Sequence, residues 1–413
     1  MKTAILLAAA SCLLLVVCDA QARRPQPVSK DTAAVAEGGN AFGFDLYARL
    51  AEKKGNLFFS PSSIHTALAM TYAGARGDTA SQMAGTLHYE LEGRRLHPAF
   101  SKLIQQLNNP RLDREKKPAY ELIVSNALWG QRGYPFRDSF TNLAQASYEA
   151  GLEQMDFARQ PEPSRVRIND WVAEKTRQKI KDLIPRGCIT PLTRLVLTNA
   201  IYFKSNWAQK FQKRATRDEA FRLAPGRSVR APMMRQQKRH RYMESSLLQA
   251  LELPYRFHDL SMVVLLPRKV AGLAAVEKAL GAKALAGWLA QLRPVSVEVT
   301  LPKFKYTSQF ELAPTLKSMG MADAFSGRAD FSGMTTAEKL FISNVIHKAF
   351  VAVDEEGTEA AAATAVIMRA TGMIRQPERP KVFKADHPFL FLIRHRASGA
   401  ILFVGRVADP TKS

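Results

Sequence analysis

Apolar residues recur at helical spacing over Asn40 to Lys53, Pro61 to Ala75, Asp78 to Leu87, His97 to Asn108, Phe136 to Ser147, Ser164 to Ile184 and Leu273 to Leu292, the last broken near Gly281. Other stretches alternate or run continuously apolar and predict strands: Tyr120 to Gln131, Arg194 to Trp207, Leu247 to Tyr255, Ser261 to Pro267, Val295 to Tyr306 and Leu340 to Val353. Near the C-terminus, Phe389 to Ile393 and Ile401 to Gly405 flank the polar turn Arg396-Ala397-Ser398-Gly399 and read as a buried hairpin. Helices come mostly first and strands later. That order suits an α+β fold with large sheets rather than alternating βαβ units.

One segment carries two patterns at once. Between the strand ending at Val353 and the hairpin lies Asp354-Glu355-Glu356-Gly357-Thr358-Glu359-Ala360-Ala361-Ala362-Ala363-Thr364-Ala365-Val366-Ile367-Met368. Its alanines favour helix by propensity. Read with period two, Thr358, Ala360, Ala362, Thr364, Val366 and Met368 form an uncharged, mostly small face that could be buried as a strand. The opposite face carries Glu359, alanines, Ile367 and Arg369, and tolerates water. A segment that can slide between two strands without desolvating a charge suggests a switch.

These residues resemble the serpins, the serine protease inhibitor superfamily. Glu355 to Thr364 matches the hinge pattern of its inhibitory members, and Phe383-Lys384-Ala385-Asp386-His387-Pro388-Phe389 to Ile393 matches the signature after the reactive loop. Asn56 to Ile64, Ala67 to Met70 and Gly77-Asp78-Thr79 are similar to the second helix and its flanks, and Leu197 to Trp207 to a central strand. The resemblance implies a serpin fold with three β-sheets, about eight or nine helices and an exposed reactive-centre loop over about 355–382. It also implies a hinge of Glu355, Glu356, Gly357, Thr358, Glu359, Ala360, Ala361, Ala362, Ala363 and Thr364. A polar cluster where the sheet parts would comprise Ser60, Ser63, Asn199 and His347; Trp207, Lys303 and Glu355 would sit at the upper opening. Gly357 is expected to supply unusual backbone angles where the loop leaves the strand.

The resemblance implies inhibition by suicide-substrate trapping. A protease attacks the loop, forms an acyl-enzyme, and is carried away as the hinge inserts between the strands Leu340–Val353 and Arg194–Trp207. Family spacing from Gly357 places the scissile bond at Thr371-Gly372. The interval from there to His387 is longer than usual, so Arg369-Ala370 and Arg375-Gln376 are alternatives. Either arginine would suit a trypsin-like serine protease, and Thr371 one with a small pocket; a cysteine protease is a further candidate. The alternative reading is a non-inhibitory serpin-fold binding or storage protein. The chain has no His-Glu-x-x-His, no Gly-x-Ser-x-Gly, no phosphate-cradling glycine loop and no metal-ligand spacing of cysteines, so neither an enzyme nor a cofactor is expected.

The 413 residues contain no Gly/Ser or charged linker, and 46% hydrophobic residues can fill one large core, so residues 40–413 are expected as one domain and as a monomer. Lys2, the apolar run Ala4 to Val17 and Ala20-Gln21-Ala22 read as a signal peptide, residues 1–22, followed by a flexible segment 23–39. The protein is thus expected to be secreted, extracellular or, in a bacterium, periplasmic. Two of the three cysteines would leave with the signal; Cys188 remains, and no Asn-X-Ser/Thr sequon occurs. With 59 Lys and Arg against 37 Asp and Glu, net +22, the chain should feel polyanions. The densest basic stretches are Arg235 to Arg241 and Arg165 to Arg186. No aromatic-interleaved pattern indicates specific nucleic-acid binding, and His97 to Asn108, a usual polyanion site in relatives, carries only Lys102.

Overall fold

The computed structural model describes residues 28–148, 152–337, 340–358 and 379–413. The signal-peptide reading, hinge residues Glu359 to Thr364, and all the candidate scissile bonds (Thr371-Gly372, Arg369-Ala370, Arg375-Gln376) lie outside them.

Two hydrogen-bonded sheets carry the fold. The six-stranded sheet runs, in spatial order, Phe304–Glu311, Asn344–Val353, Gly357–Thr358, Leu195–Asn206, Tyr120–Gln131 and Leu152–Met155. The nine-stranded one runs Leu57–Phe59, Ile401–Val407, Phe389–His395, Leu260–Pro267, Leu248–Pro254, Arg227–Glu244, Arg293–Pro302 and Lys381–Lys384, with Arg217–Ala224 paired to Arg227–Glu244. That 18-residue strand joins two sheets: its early part pairs with Arg217–Ala224 and its end with Leu248–Pro254. The three-sheet, α+β expectation is therefore met, with two sheets continuous through one strand. The described residues include nine α-helices.

Several boundaries differ from the pattern. The first helix is Lys30–Leu50, so residues 30–39 are not the end of a flexible segment. Ser29 caps it, accepting from the Thr32 amide at 3.2 Å, and Asp31 adds a first-turn carboxylate. Within it, a Cβ on Gly38 would overlap the His88 carbonyl oxygen and one on Gly39 would lie 3.0 Å from the His65 ring, so these glycines serve close packing. Val295 to Tyr306 divides into two strands in different sheets, Arg293–Pro302 and Phe304–Glu311. The hairpin Arg217–Ala224/Arg227–Glu244 escaped the pattern because charged residues interrupt its apolar positions.

The predicted helix Ser164 to Ile184 ends early, at Lys175, and Arg177, Gln178 and Asp182 take positive φ. Beyond it, Ile180, Leu183, Ile184 and Ile189 remain buried with Ile168 and Val172 against Val196, Ala200 and Ile346. Helix and trailing segment thus lie across the two neighbouring strands Leu195–Asn206 and Asn344–Val353. Asn169 ties the segment to the helix by accepting from the Ile184 amide (2.8 Å) and donating to its carbonyl (3.0 Å).

Candidate functional site

The site is the seam between Asn344–Val353 and Leu195–Asn206. In its lower half these strands pair directly and in parallel, from Asn344 opposite Val196 to Ala349 opposite Ile201. Above Ala349 direct pairing stops. There the chain turns at Asp354 to Gly357 and re-enters the sheet, with Thr358 opposite both Val353 and Ser205 and Gly357 opposite Asn206, antiparallel to both neighbours. The sheet is closed below and wedged open above.

The wedge is held by identifiable bonds. Asp354 Oδ1 accepts from the amides of Glu356 (2.8 Å) and Gly357 (3.2 Å), and the Asp354 amide donates to the Gly357 carbonyl (2.9 Å), fixing the turn. The amides of Trp207 and Phe211 donate to the carbonyls of Glu356 and Glu355, each at 2.9 Å. Thr358 is buried, its hydroxyl 2.6 Å from that of Tyr255, and Tyr255 stacks on Trp207 with ring centroids 4.6 Å apart. The Trp207 indole N–H donates to the Asp354 carbonyl at 2.9 Å. The loop expected to be exposed from Glu355 onward is instead buried at Glu355, Gly357 and Thr358 and half-buried at Glu356, and at its far end Lys381–Lys384 is a strand paired in parallel with Arg293–Pro302.

Gly357 corrects a second expectation. Its φ is not positive. A Cβ there would overlap the Ser205 carbonyl oxygen and lie 2.7 Å from Asn206 Cα. Glycine is needed for close approach of two backbones, not for unusual angles.

Glu355 and Lys303 meet at 2.9 Å, and Glu355, 3% exposed, is no surface partner. Burial pushes its carboxyl up, but Lys303 and the Thr216 hydroxyl (2.7 Å) outweigh that and hold it below the usual range. Glu356 pairs with Lys210 and lies 3.6 Å from Lys213. Trp207, Lys303 and Glu355 are thus together at the upper opening; Tyr255, Thr216, Lys210 and Lys213 join them. Only Tyr255 left a sequence signal, as an aromatic at a strand end.

Below the wedge, Ser60, Ser63, Asn199 and His347 form one buried network. His347 and Asn199 are register partners across the seam. The Ser60 amide donates to His347 Nε2 at 3.1 Å, so His347 Nδ1 carries the proton and donates to Asn199 Oδ1. Asn199 Nδ2 donates to Ser63 Oγ at 2.6 Å, and Ser63 N to Ser60 Oγ at 3.1 Å. Ser60 also caps the helix Pro61–Tyr72, which explains a serine before a proline there. Burial drives the His347 imidazole down to about 3, so it is neutral at physiological pH. Asn126, opposite Asn199 on the next strand, completes the network by accepting from Asn199 Nδ2. Its signal was a lone amide within the apolar run Leu122 to Trp129. Among the described residues no His, Cys, Asp and Glu cluster could hold a metal ion.

The central sheet pairs directly across the lower half of the seam and holds Gly357 and Thr358 in its upper half, while Lys381–Lys384, beyond the intervening segment, pairs in the other sheet. The family model Serpin, described as serine protease inhibitor, matches residues 37–410, and this chain belongs to that family. It is 43% identical over 379 residues to the leukocyte elastase inhibitor of Bos taurus, covering 89% of this chain and 97% of that protein. It is also 43% identical over 371 residues to an uncharacterized serpin-like protein of Thermococcus kodakarensis, covering 90% of this chain and 84% of that one. The structure of human thyroxine-binding globulin complexed with thyroxine matches with a TM-score of 0.82 at 31% identity, covering 92% of this chain and all of that one. Serpins are protease inhibitors rather than enzymes, although members such as thyroxine-binding globulin serve binding instead.

Proposed function

We propose that this chain inhibits a serine protease as a suicide substrate, through insertion of 359–371 into the seam. The observation that carries the reading is the wedge itself: Gly357 and Thr358 already occupy the register that a longer inserted strand would continue. The protease serine adds to the carbonyl of the residue before the scissile bond, and the C–N bond breaks. The amine leaves on the new N-terminus while the ester stays on the loop. Insertion downward from Thr358 would then replace the parallel pairing of 344–349 with 196–201 by antiparallel pairing on both sides, the more stable arrangement per residue. Thirteen added residues reach about 43 Å, enough to carry the bound enzyme the length of the sheet before water cleaves the ester.

In this mechanism Ser60, Ser63, Asn199 and His347 act as the shutter that must reopen, and Trp207, Lys303 and Glu355 hold the breach. Thr371-Gly372 is the favoured bond, with Arg369-Ala370 and Arg375-Gln376 as alternatives; the target is a trypsin-like or small-pocket serine protease, with a cysteine protease as a further candidate. Export rests on the leader 1–22, which precedes the family match at residue 37. The test is incubation with a protease panel followed by denaturing electrophoresis: a covalent, SDS-resistant complex is expected, and its absence with every serine protease that cleaves the loop would overturn trapping. The second reading, a non-inhibitory binding protein, draws on the likeness to thyroxine-binding globulin. It requires that loop cleavage leave thermal stability unchanged.

A further inference from the structure

The helix Gly77–Leu87 departs twice from what a helix end ordinarily holds. Gly85 lies inside it, where glycine is the weakest helix former after proline, and a Cβ there would meet nothing within 4 Å. Its φ is not positive, so neither crowding nor backbone angle calls for glycine. Three residues on, the cap position where glycine is usual holds His88 instead, in the left-handed region at φ 54°. A side chain is missing where the helix would accept one and present where the backbone disfavours it.

Both departures open onto one cleft. It encloses about 520 Å³ where Lys30–Leu50, the end of Gly77–Leu87 and the turn after the helix Ala313–Ser318 meet, and Asp45, Ala48, Arg49, Gly85, His88 and Met319 are among its lining residues. That volume suits a small ligand. The bare Gly85 leaves one wall open, and His88 turns its Nε2 to Asp45 Oδ2 at 2.7 Å. Asp45 and Arg49 stand four residues apart on one helix, the spacing at which such a pair ordinarily bonds. Here they do not: Asp45 is held by His88, and Arg49 makes no hydrogen bond or ion pair among the described residues. Asp45 also lies beside the C-terminal cap of Gly77–Leu87, whose partial negative charge adds to its own. A simple anion would be repelled by Asp45 and a simple cation by Arg49. A ligand that satisfies both carries an ammonium and a carboxylate a few ångströms apart, as a free α-amino acid does.

We propose that this cleft binds a free amino acid with an apolar side chain. Its ammonium takes Asp45 from His88, its carboxylate is held by the Arg49 guanidinium, and its side chain lies over Gly85 between Ala48 and Met319. None of these residues belongs to the seam, and the test needs no protease. Binding of L-leucine to the full-length protein is followed by titration calorimetry. Gly85→Leu fills the cleft and strengthens the helix, so it should lose binding with an unchanged or higher melting temperature. Asp45→Asn and Arg49→Gln should each weaken leucine binding at least about tenfold, as the loss of a hydrogen bond to a charged group does. N-acetyl-L-leucine, which lacks the ammonium, and L-leucinamide, which lacks the carboxylate, should bind the unaltered protein equally poorly. Undiminished leucine binding by Gly85→Leu would overturn the site, as would failure of L-leucine, L-methionine and L-phenylalanine alike to bind saturably at millimolar concentration. Undiminished binding of either blocked leucine would overturn the assignment of a zwitterion.

Discussion

His347 and Asn199 face each other across the two strands of the seam and share a hydrogen bond from the imidazole Nδ1–H to the amide oxygen. Their side chains thus bolt together the strands that must part for a further strand to enter. The bolt is closed in this conformation, while the wedge at Thr358 lies one strand-half above it. Replacing His347 with Leu would leave the Ser60 amide N–H and the Asn199 amide oxygen unsatisfied in a fully buried place. We expect a loss of about 2–4 kcal/mol, read as a lower urea midpoint; a change below the error of the measurement would remove the network from any stabilising role.

Burial drives His347 down to about 3 and His65, His97, His240 and His395 down to about 4. Unfolded, these imidazoles titrate near 6.5, so between these values the unfolded chain binds protons that the folded chain refuses. Stability is therefore full above about pH 6.5 and falls as the pH drops toward 4, by up to about 1.4 kcal/mol per pH unit for each histidine. Urea unfolding at a series of pH values should show this decline, and His347→Gln should lower the slope by about one proton. An identical slope in the variant would contradict the assignment.

Thr358 occupies a closed space between Val353 and Ser205 on the flanking strands and against Tyr255. Thr358→Arg places a charge there at a cost of several kcal/mol. The variant should still be cleaved in its loop but yield free protease and cleaved product instead of a covalent complex. Trapping at the original efficiency would show that the hinge need not be buried at this position.

Gly357→Val should expel the wedge, because any side chain collides with the Ser205 backbone. Faster amide exchange at Gly357 and Thr358 and a shift in Trp207 emission are the expected signs, since the indole loses its contact geometry with the Asp354 turn. Exchange as slow as in the parent chain would refute the close-approach explanation.

A cut at Arg375 rather than Thr371 adds about 13 Å of slack between hinge and enzyme, which weakens distortion of the trapped protease. Arg375→Ala should thus leave complex formation unchanged and remove only unproductive cleavage by trypsin-like enzymes. Mass spectrometry of the peptide released from a trapped complex would begin at Gly372; a peptide beginning at Gln376 or Ala370 would move the reactive bond.

Lys303→Met strips the ammonium from Glu355 while keeping most of the apolar stem of the side chain. With Thr216 still donating, the loss should be about 2 kcal/mol, measured by thermal denaturation. No change would mean that the pair is spectator to the breach.

Sequence alone determined the α+β class, the strands Tyr120–Gln131 and Leu195–Asn206 nearly to the residue, the C-terminal hairpin and the family, because each is written in local periodicity or in a contiguous motif. It missed the hairpin Arg217–Ala224/Arg227–Glu244 and the early start at Lys30, where charge and paired glycines mask the period. What only the tertiary structure decided is which residues meet. Asn126 and Tyr255 join the seam, Gly357 is explained by Ser205, and Lys213 faces Glu356, all through contacts between positions 73 or more apart in the chain. No local pattern encodes such meetings, because strand order and register set them, and those follow from burying one shared core rather than from any single segment.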